Sequence, residues 1–191
     1  MNFFFNVSSR PSYPLVFDCQ NVINGSYIAT GKYIDNMDES PLIYKDSNNS
    51  NVSFERLLTY DILETVGGGW LISEKLSNIF QSYFLNEVQL LKTIFTYKGH
   101  KCNKYSALNI YNKIDCYDMS ECIYEQHPVD FSYEFTKIQL KKSPLEEYGI
   151  IYNIVRSIHD NKVVVSDDFA RIIKKNKINS IRFSKTFDIL Y

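Results

Sequence analysis

One pattern that occurs twice constrains this chain more than any other feature. Trp70-Leu71-Ile72-Ser73-Glu74 and Val163-Val164-Val165-Ser166-Asp167 align without gaps, each a short apolar run ending in Ser and an acid. A Ser hydroxyl at that point accepts a hydrogen bond from a free N–H of a first helical turn, and the acid after it interacts favourably with the helix dipole. Behind the acid, Leu76, Ile79 and Phe80 align with Phe169, Ile172 and Ile173, which gives each copy one apolar helix face. Asn86-Glu87-Val88-Gln89-Leu90 then aligns with Asn179-Ser180-Ile181-Arg182-Phe183, and Lys92-Thr93 with Lys185-Thr186. The unit reads as strand, Ser cap, helix, turn, strand. Five identities over 24 positions are too few to establish duplication. The structural reading is firmer, because both units carry apolar faces that need a neighbouring surface. Two copies fall short of the three that a solenoid needs.

Around these units the pattern is mostly that of strands. Val88 to Tyr97 alternates, with Gln89, Leu91, Thr93, Phe95 and Tyr97 on one side and Val88, Leu90, Lys92, Ile94 and Thr96 on the other. Residues 105–114, 131–140, 150–154 and 181–183 also read as strands. The first 50 residues hold turn formers, Pro11, Pro14, Asn24-Gly25, Gly31 and Pro41, between short apolar pieces such as Leu15-Val16-Phe17 and Tyr27-Ile28-Ala29. They predict short strands or irregular segments, with Asn24-Gly25 as a tight turn. Residues 46–51 read as a polar loop. Ser53 is placed to cap a helix that runs from Phe54 through Leu57, Leu58 and Asp61-Ile62 and ends before Gly67-Gly68-Gly69. The expected fold is α+β: a single domain over 1–191 with a mostly antiparallel sheet and two similar strand–helix–strand units. Residues 1–50 form its irregular, short-stranded part and 52–191 its core.

Bulk properties remove several function classes. A net charge of −1 argues against a general nucleic-acid binder. No apolar run is long enough to span a bilayer, and Met1 to Arg10 lacks the basic and apolar regions of a signal peptide. The expectation is a cytoplasmic protein without membrane association. Cys19, Cys102, Cys116 and Cys122 form no Cys-x-x-Cys pair and read as reduced, mostly buried thiols. His100 and Cys102 are two candidate ligands, too few for a zinc site, so no metal is expected. Gly67-Gly68-Gly69 precedes a strand, whereas a phosphate loop follows a strand and opens a helix. No cofactor and no catalytic constellation is expected.

The charge is unevenly spread. Residues 1–136 hold 10 Lys and Arg against 16 Asp and Glu, and residues 137–191 hold 11 against 6. The acidic excess is most concentrated in 114–136, where Asp115, Asp118, Glu121, Glu125, Asp130 and Glu134 occur without a Lys or Arg and are interleaved with Tyr117, Tyr124 and Tyr133. Three readings are open. Clustered carboxylates serve metal binding or acid–base chemistry, although this spacing fits no calcium loop. An acidic surface with aromatics steers and holds a basic protein partner. A solvated strand–loop–strand pairs with the basic C-terminal region. On the second reading Asp115, Tyr117, Asp118, Glu121, Tyr124 and Glu125 include the contact residues.

The order of the pieces carries a family resemblance. Phe54-Glu55-Arg56-Leu57-Leu58, Trp70 to Leu76, Val88-Gln89-Leu90, Tyr105 to Asn112 with Ile114-Asp115-Cys116-Tyr117-Asp118, and Val163 to Phe169 with Ile181-Arg182-Phe183 follow one another. Over residues 40–187 this resembles the immunity proteins of bacterial polymorphic toxin systems, in the group long filed as a domain of unknown function. The resemblance implies a non-enzymatic cytoplasmic protein that binds the toxin domain encoded beside it and protects the producing cell. It supplies no catalytic residues and does not identify the toxin. Two rival classes stay open: an adaptor or chaperone-like binding module for a secreted effector, and a small enzyme. A converging pocket of carboxylate, His and Cys would favour the enzyme. Oligomeric state, a homodimer included, is open.

Overall fold

The computed structural model describes residues 1–7, 16–35, 40–46, 50–67 and 69–187. Pro11, Pro14, Leu15, residues 47–49 of the polar loop and Gly68 lie outside the described residues. In chain order the elements begin with β1 (Asn2–Val7), β2 (Val16–Cys19), α1 (Val22–Thr30), β3 (Leu42–Asp46), α2 (Phe54–Leu57) and β4 (Ile62–Thr65). Next come β5 (Trp70–Ser73), α3 (Glu74–Tyr83), β6 (Val88–Tyr97), β7 (His100–Cys102), β8 (Tyr105–Ile110) and β9 (Lys113–Ile114). The chain continues with β10 (Ile123–Gln126), β11 (Tyr133–Lys137), β12 (Leu145–Glu147), β13 (Ile150–Tyr152) and β14 (Ile154–Ser157). It finishes with β15 (Val163–Ser166), α4 (Asp167–Lys175) and β16 (Ile181–Ser184). The protein is α+β, and most strand pairs are antiparallel.

The chain folds into two compact units. The first comprises residues 7–111 with 178–181. Its strands run in the order β3-β2-β4-β5-β8-β6, and a parallel pairing of β3 with β6 closes them into a six-stranded barrel. A barrel this small is filled by its own side chains. Alternation along β6 supplies part of the filling: Leu91, Thr93, Phe95 and Tyr97 are buried, as their spacing predicts, while Lys92 between them is exposed. Phe17 packs on Phe95 with ring centroids 4.9 Å apart. The buried hydroxyls find acceptors: Tyr97 donates to the Val52 carbonyl at 2.6 Å and Tyr105 to the Tyr60 carbonyl at 2.6 Å. Gln89 acts as a surrogate strand. Its amide donates to the Ile34 carbonyl and accepts from the Ile34 N–H, both at 3.0 Å.

The second unit comprises residues 1–6, 112–177 and 182–191, of which the last described residue is 187. Its main sheet has the order β16-β1-β15-β14-β9, and two hairpins, β10–β11 and β12–β13, pair only within themselves. Phe4 and Phe5 on β1 belong to different aromatic groups, since neighbouring strand residues point to opposite faces. Phe5 meets Phe169 of α4 and Phe183 of β16. Phe4 meets Tyr117 and Phe187.

The two predicted strand–helix–strand units are present, one in each compact unit up to the shared strand β16. In both, the strand before the helix and the strand after it are separated by one antiparallel neighbour of the first: β8 between β5 and β6, β1 between β15 and β16. The likeness extends further back than the sequence comparison reached. Ser73 caps α3 by accepting from Leu76 N–H, donates its N–H to the Asp61 carbonyl at 2.9 Å, and donates its hydroxyl to Asp61 Oδ1 at 2.9 Å. Ser166 caps α4 by accepting from Phe169 N–H, and makes the same two bonds to Asn153 at 2.9 and 2.8 Å. Each Asx residue immediately precedes the strand paired with the Ser strand, in matching register: Ile62 opposite Ile72, Ile154 opposite Val165.

Two expectations are corrected. Residues 22–30 are helical, not a turn. Gly25 lies inside α1, where a Cβ would stand 2.9 Å from the Cys19 Cβ, so glycine is there for close packing. The helix expected to extend from Phe54 past Ile62 is a single turn capped by Ser53. Ile62 to Glu64 instead pair with Trp70 to Ile72, because barrel pairing satisfies the backbone that the helix would otherwise use.

Asp61 carries a second set of bonds. Its Oδ2 accepts from the Asn179 N–H at 2.8 Å, Asn179 Oδ1 accepts from the Asp61 N–H at 3.0 Å, and Asn179 Nδ2 donates to the Thr59 carbonyl at 2.8 Å. Asp61→Ala removes the acceptors of the half-buried Ser73 hydroxyl and of the Asn179 N–H and should lower the unfolding free energy by about 2 kcal/mol in urea titrations. Asp61→Asn, which keeps one acceptor oxygen, should cost less; an Ala variant as stable as the parent would contradict this role. Gly25→Ala should also destabilise, by about 1 kcal/mol, because the overpacking against Cys19 outweighs a helix-propensity gain of similar size.

Candidate functional site

The acidic segment 114–136 starts in the core, runs out through an exposed loop and returns to the core at Phe135. Tyr117 and Leu140 form a β-bridge, with Asp118 N–H donating to the Gln139 carbonyl and Lys141 N–H to the Cys116 carbonyl. This pairing turns the Tyr117 ring inward, where it is 0% exposed, stacked on His159 and edge-on to Phe135. Its hydroxyl donates to Asp160 Oδ1 at 2.7 Å, and burial together with that carboxylate raises its pKa. Tyr117 therefore supports the site from beneath and does not face a partner.

Asp115 is half-exposed and engaged. Its carboxylate accepts from Lys141 Nζ at 2.9 Å and lies 3.1 Å from His159 Nε2. Partial burial alone pushes its pKa up, but the bonds to Lys141 and His159 outweigh that and hold it below the usual value. A cleft of about 290 Å³ opens beside it, lined among others by Asp115, Cys116, Lys141, Glu146 and Tyr148. Carboxylate, imidazole and thiol do converge in this region. The thiol, however, is buried, and burial with the nearby Asp160 and Asp115 pushes Cys116 up to about 12. It is protonated at neutral pH and serves as a packing group, not a nucleophile.

Beyond Cys122 the chain forms the β10–β11 hairpin. Tyr124 lies opposite Phe135 and Gln126 opposite Tyr133, which puts Tyr124, Tyr133 and Phe135 on one face. Their rings meet at 5.2 to 5.7 Å, and Tyr133 reaches His159 at 5.2 Å. This aromatic cluster anchors the hairpin. The other face carries Glu125 directly opposite Glu134. Like charges at directly opposed strand positions destabilise the pair. Asp118, Glu121, Glu125 and Glu134 are not within ion-pair distance of any cation among the described residues. Glu121, Tyr124 and Glu125 are exposed, and Asp118 is half-exposed and accepts from Ser120.

The C-terminal cations are partly used elsewhere. Lys141 pairs with Asp115, Lys162 with Asp160, and Arg171 with Asp167 and Asp168 on its own helix. Arg156 is buried, donates to the Asn161 carbonyl, and is lowered to about 10 by desolvation. Internal pairing of the basic region thus takes Asp115 from the acidic segment; on the hairpin Asp130 lies 3.2 Å from His127 Nδ1, and Glu125 and Glu134 have no cation within ion-pair distance among the described residues.

Sequence reasoning counted Asp130 in the acidic run and started a strand at Phe131; the structure puts both in the hairpin tip, 127–132, and begins the strand at Tyr133. His127 N–H donates to the Ser132 carbonyl and Phe131 N–H to the His127 carbonyl. Asp130 Oδ1 accepts from both the N–H and the hydroxyl of Ser132, which together hold its carboxyl below the usual range. Val129 and Phe131 project from this loop at 78% and 67% exposure. Asp130-Phe131-Ser132, a turn-forming Asp two residues before a Ser, was the available signal.

Among the described residues, no helix is long and apolar enough to cross a membrane. The comparison with curated proteins found no match. A family profile described as "Immunity protein family (Imm11)" matches residues 15–188. That stretch takes in the barrel strands, the Ser-capped helices α2, α3 and α4 and the acidic hairpin, and begins well before the position from which the sequence pattern alone was legible. A match spanning both copies of the repeated unit, in the order the motifs follow, establishes that the chain belongs to the Imm11 immunity protein family.

Proposed function

We propose that this protein neutralises a cognate toxin domain by direct protein–protein contact, acting in the cytoplasm of the cell that makes the toxin. Family membership supports the toxin as partner. The observation that carries the contact surface is the Glu125–Glu134 pair: two carboxylates held opposite each other, with no cation within ion-pair distance among the described residues, on a hairpin anchored by aromatics. A fold keeps such a self-repelling arrangement at a cost in stability, and a basic partner surface relieves it. Asp118, Glu121 and Glu125 make up this surface with Glu134; Tyr124 braces it from the opposite face, and Asp115 and Tyr117 hold it in place. Complementary charge speeds encounter and orients the partner. Binding, with no chemical step, is the mode of action.

Co-expression with the toxin domain encoded beside this chain should restore growth and yield a complex that co-purifies. No rescue and no complex would remove the reading. The triple variant Asp118→Lys, Glu121→Lys, Glu125→Lys should weaken binding at least about 30-fold and flatten its salt dependence. Unchanged affinity and salt slope would place the interface elsewhere. Glu125→Lys alone should raise Tm while slowing association, since it replaces a like-charge cross-strand pair by an attractive one. A surface that served only the fold would not separate those two readouts.

A further inference from the structure

The charged shaft of the β10–β11 hairpin does not account for its tip. Val129 and Phe131 are among the most exposed large apolar residues of those described, and a single residue separates them on a loop closed by hydrogen bonds. Phe131 has φ 58°, in the left-handed region where a bulky side chain is strained. The strain is held by the loop's bonds: His127 N–H to Ser132 carbonyl at 2.8 Å, Phe131 N–H to His127 carbonyl at 3.0 Å, Ser132 to Asp130 through both N–H and hydroxyl, and Gln126 Nε2 to the Phe131 carbonyl at 3.2 Å. Asn or Gly adopts this backbone without the cost. A strained, pre-ordered Phe in full view of solvent contributes little to the fold that holds it. Strain of this kind persists where a surrounding network over-determines it and clusters at binding sites.

We propose that Val129 and Phe131 are the apolar anchor of the interface, entering a hydrophobic pocket on the toxin whose rim is basic. The inference rests on the toxin-binding reading above and names the chemistry of the partner's site. Charge complementarity selects this occupant. The tip lies between Glu125 and Glu134 on the shaft and carries Asp130 itself, with no Lys or Arg from Ile114 to Thr136. A pocket that takes the tip must bring its rim against those carboxylates. Pre-ordering lowers the entropy lost on docking, and a central aromatic surrounded by polar contacts is the usual arrangement of an interface hot spot.

The test uses the full chain and the toxin domain encoded beside it, with affinity measured at two salt concentrations and Tm measured alongside. Phe131→Asn should keep or raise Tm, because it removes the strain, and should weaken binding at least about 30-fold with the salt slope unchanged, because an apolar contact is not screened. Val129→Ser should weaken binding in the same salt-independent way. Wild-type complex formation with Phe131→Asn binding equally well overturns the anchor and leaves the toxin-binding reading standing. No complex with the wild type overturns that reading itself. Loss of self-association in Phe131→Asn, with toxin affinity intact, would assign the tip to a second copy of this chain and also overturn the proposal.

Discussion

The clasp between a cap serine and the Asx residue opposite it is the interaction on which both units depend. In one short stretch it closes the pairing of two strands, starts a helix, and sets the angle at which that helix leaves the sheet. Ser73 and Ser166 each spend their N–H on the Asx carbonyl, their hydroxyl proton on the Asx oxygen, and an oxygen lone pair on the helix. Every polar atom of the serine beyond its own carbonyl is then satisfied, which is what a half-buried junction requires. Asp61, with a second carboxylate oxygen, also ties down Asn179, a link that Asn153 has no second carboxylate oxygen to make.

Charge is distributed by the same logic of satisfaction. Where cations and carboxylates lie near each other in the C-terminal region they pair, at Asp115, Asp160, Asp167 and Asp168. Surface pairs of this kind contribute little to stability. None of these cations stands within ion-pair distance of Glu125 or Glu134. The acidic face of β10–β11 is therefore a residual field, aimed at solvent and backed by an aromatic cluster that keeps it from moving.

Legibility differed sharply between elements. α3 and α4 were readable to within a residue or so, because a Ser cap, an acidic first turn and an apolar face are all local signals. The β6 alternation was readable for the same reason. α1 was not, since Asn24-Gly25 is a strong turn signal that packing against Cys19 overrode. β1 was not, since Phe3 and Phe4 find Val165 and Val164 at the far end of the chain. Within the candidate site, the run of carboxylates was visible, yet Tyr117, Tyr124 and Tyr133 looked equivalent. Their different burial comes from the bridge of Tyr117 to Leu140 and from the hairpin register.

By itself the sequence determined what is settled within one or two helical turns or along one strand: the Ser-capped helices, the faces of β6, the reduced state expected of scattered thiols, and a segment of carboxylates without a cation. Tertiary structure alone decided which strands close the barrel, which tyrosine goes inside, which lysine neutralises Asp115, and that Phe131 stands outward in a strained backbone. The physical reason is the range of the forces. Caps, dipoles and side-chain alternation act between near neighbours in the chain, whereas burial, strand partnership and ion pairing depend on which distant segments meet, and that is settled only when the whole chain has packed.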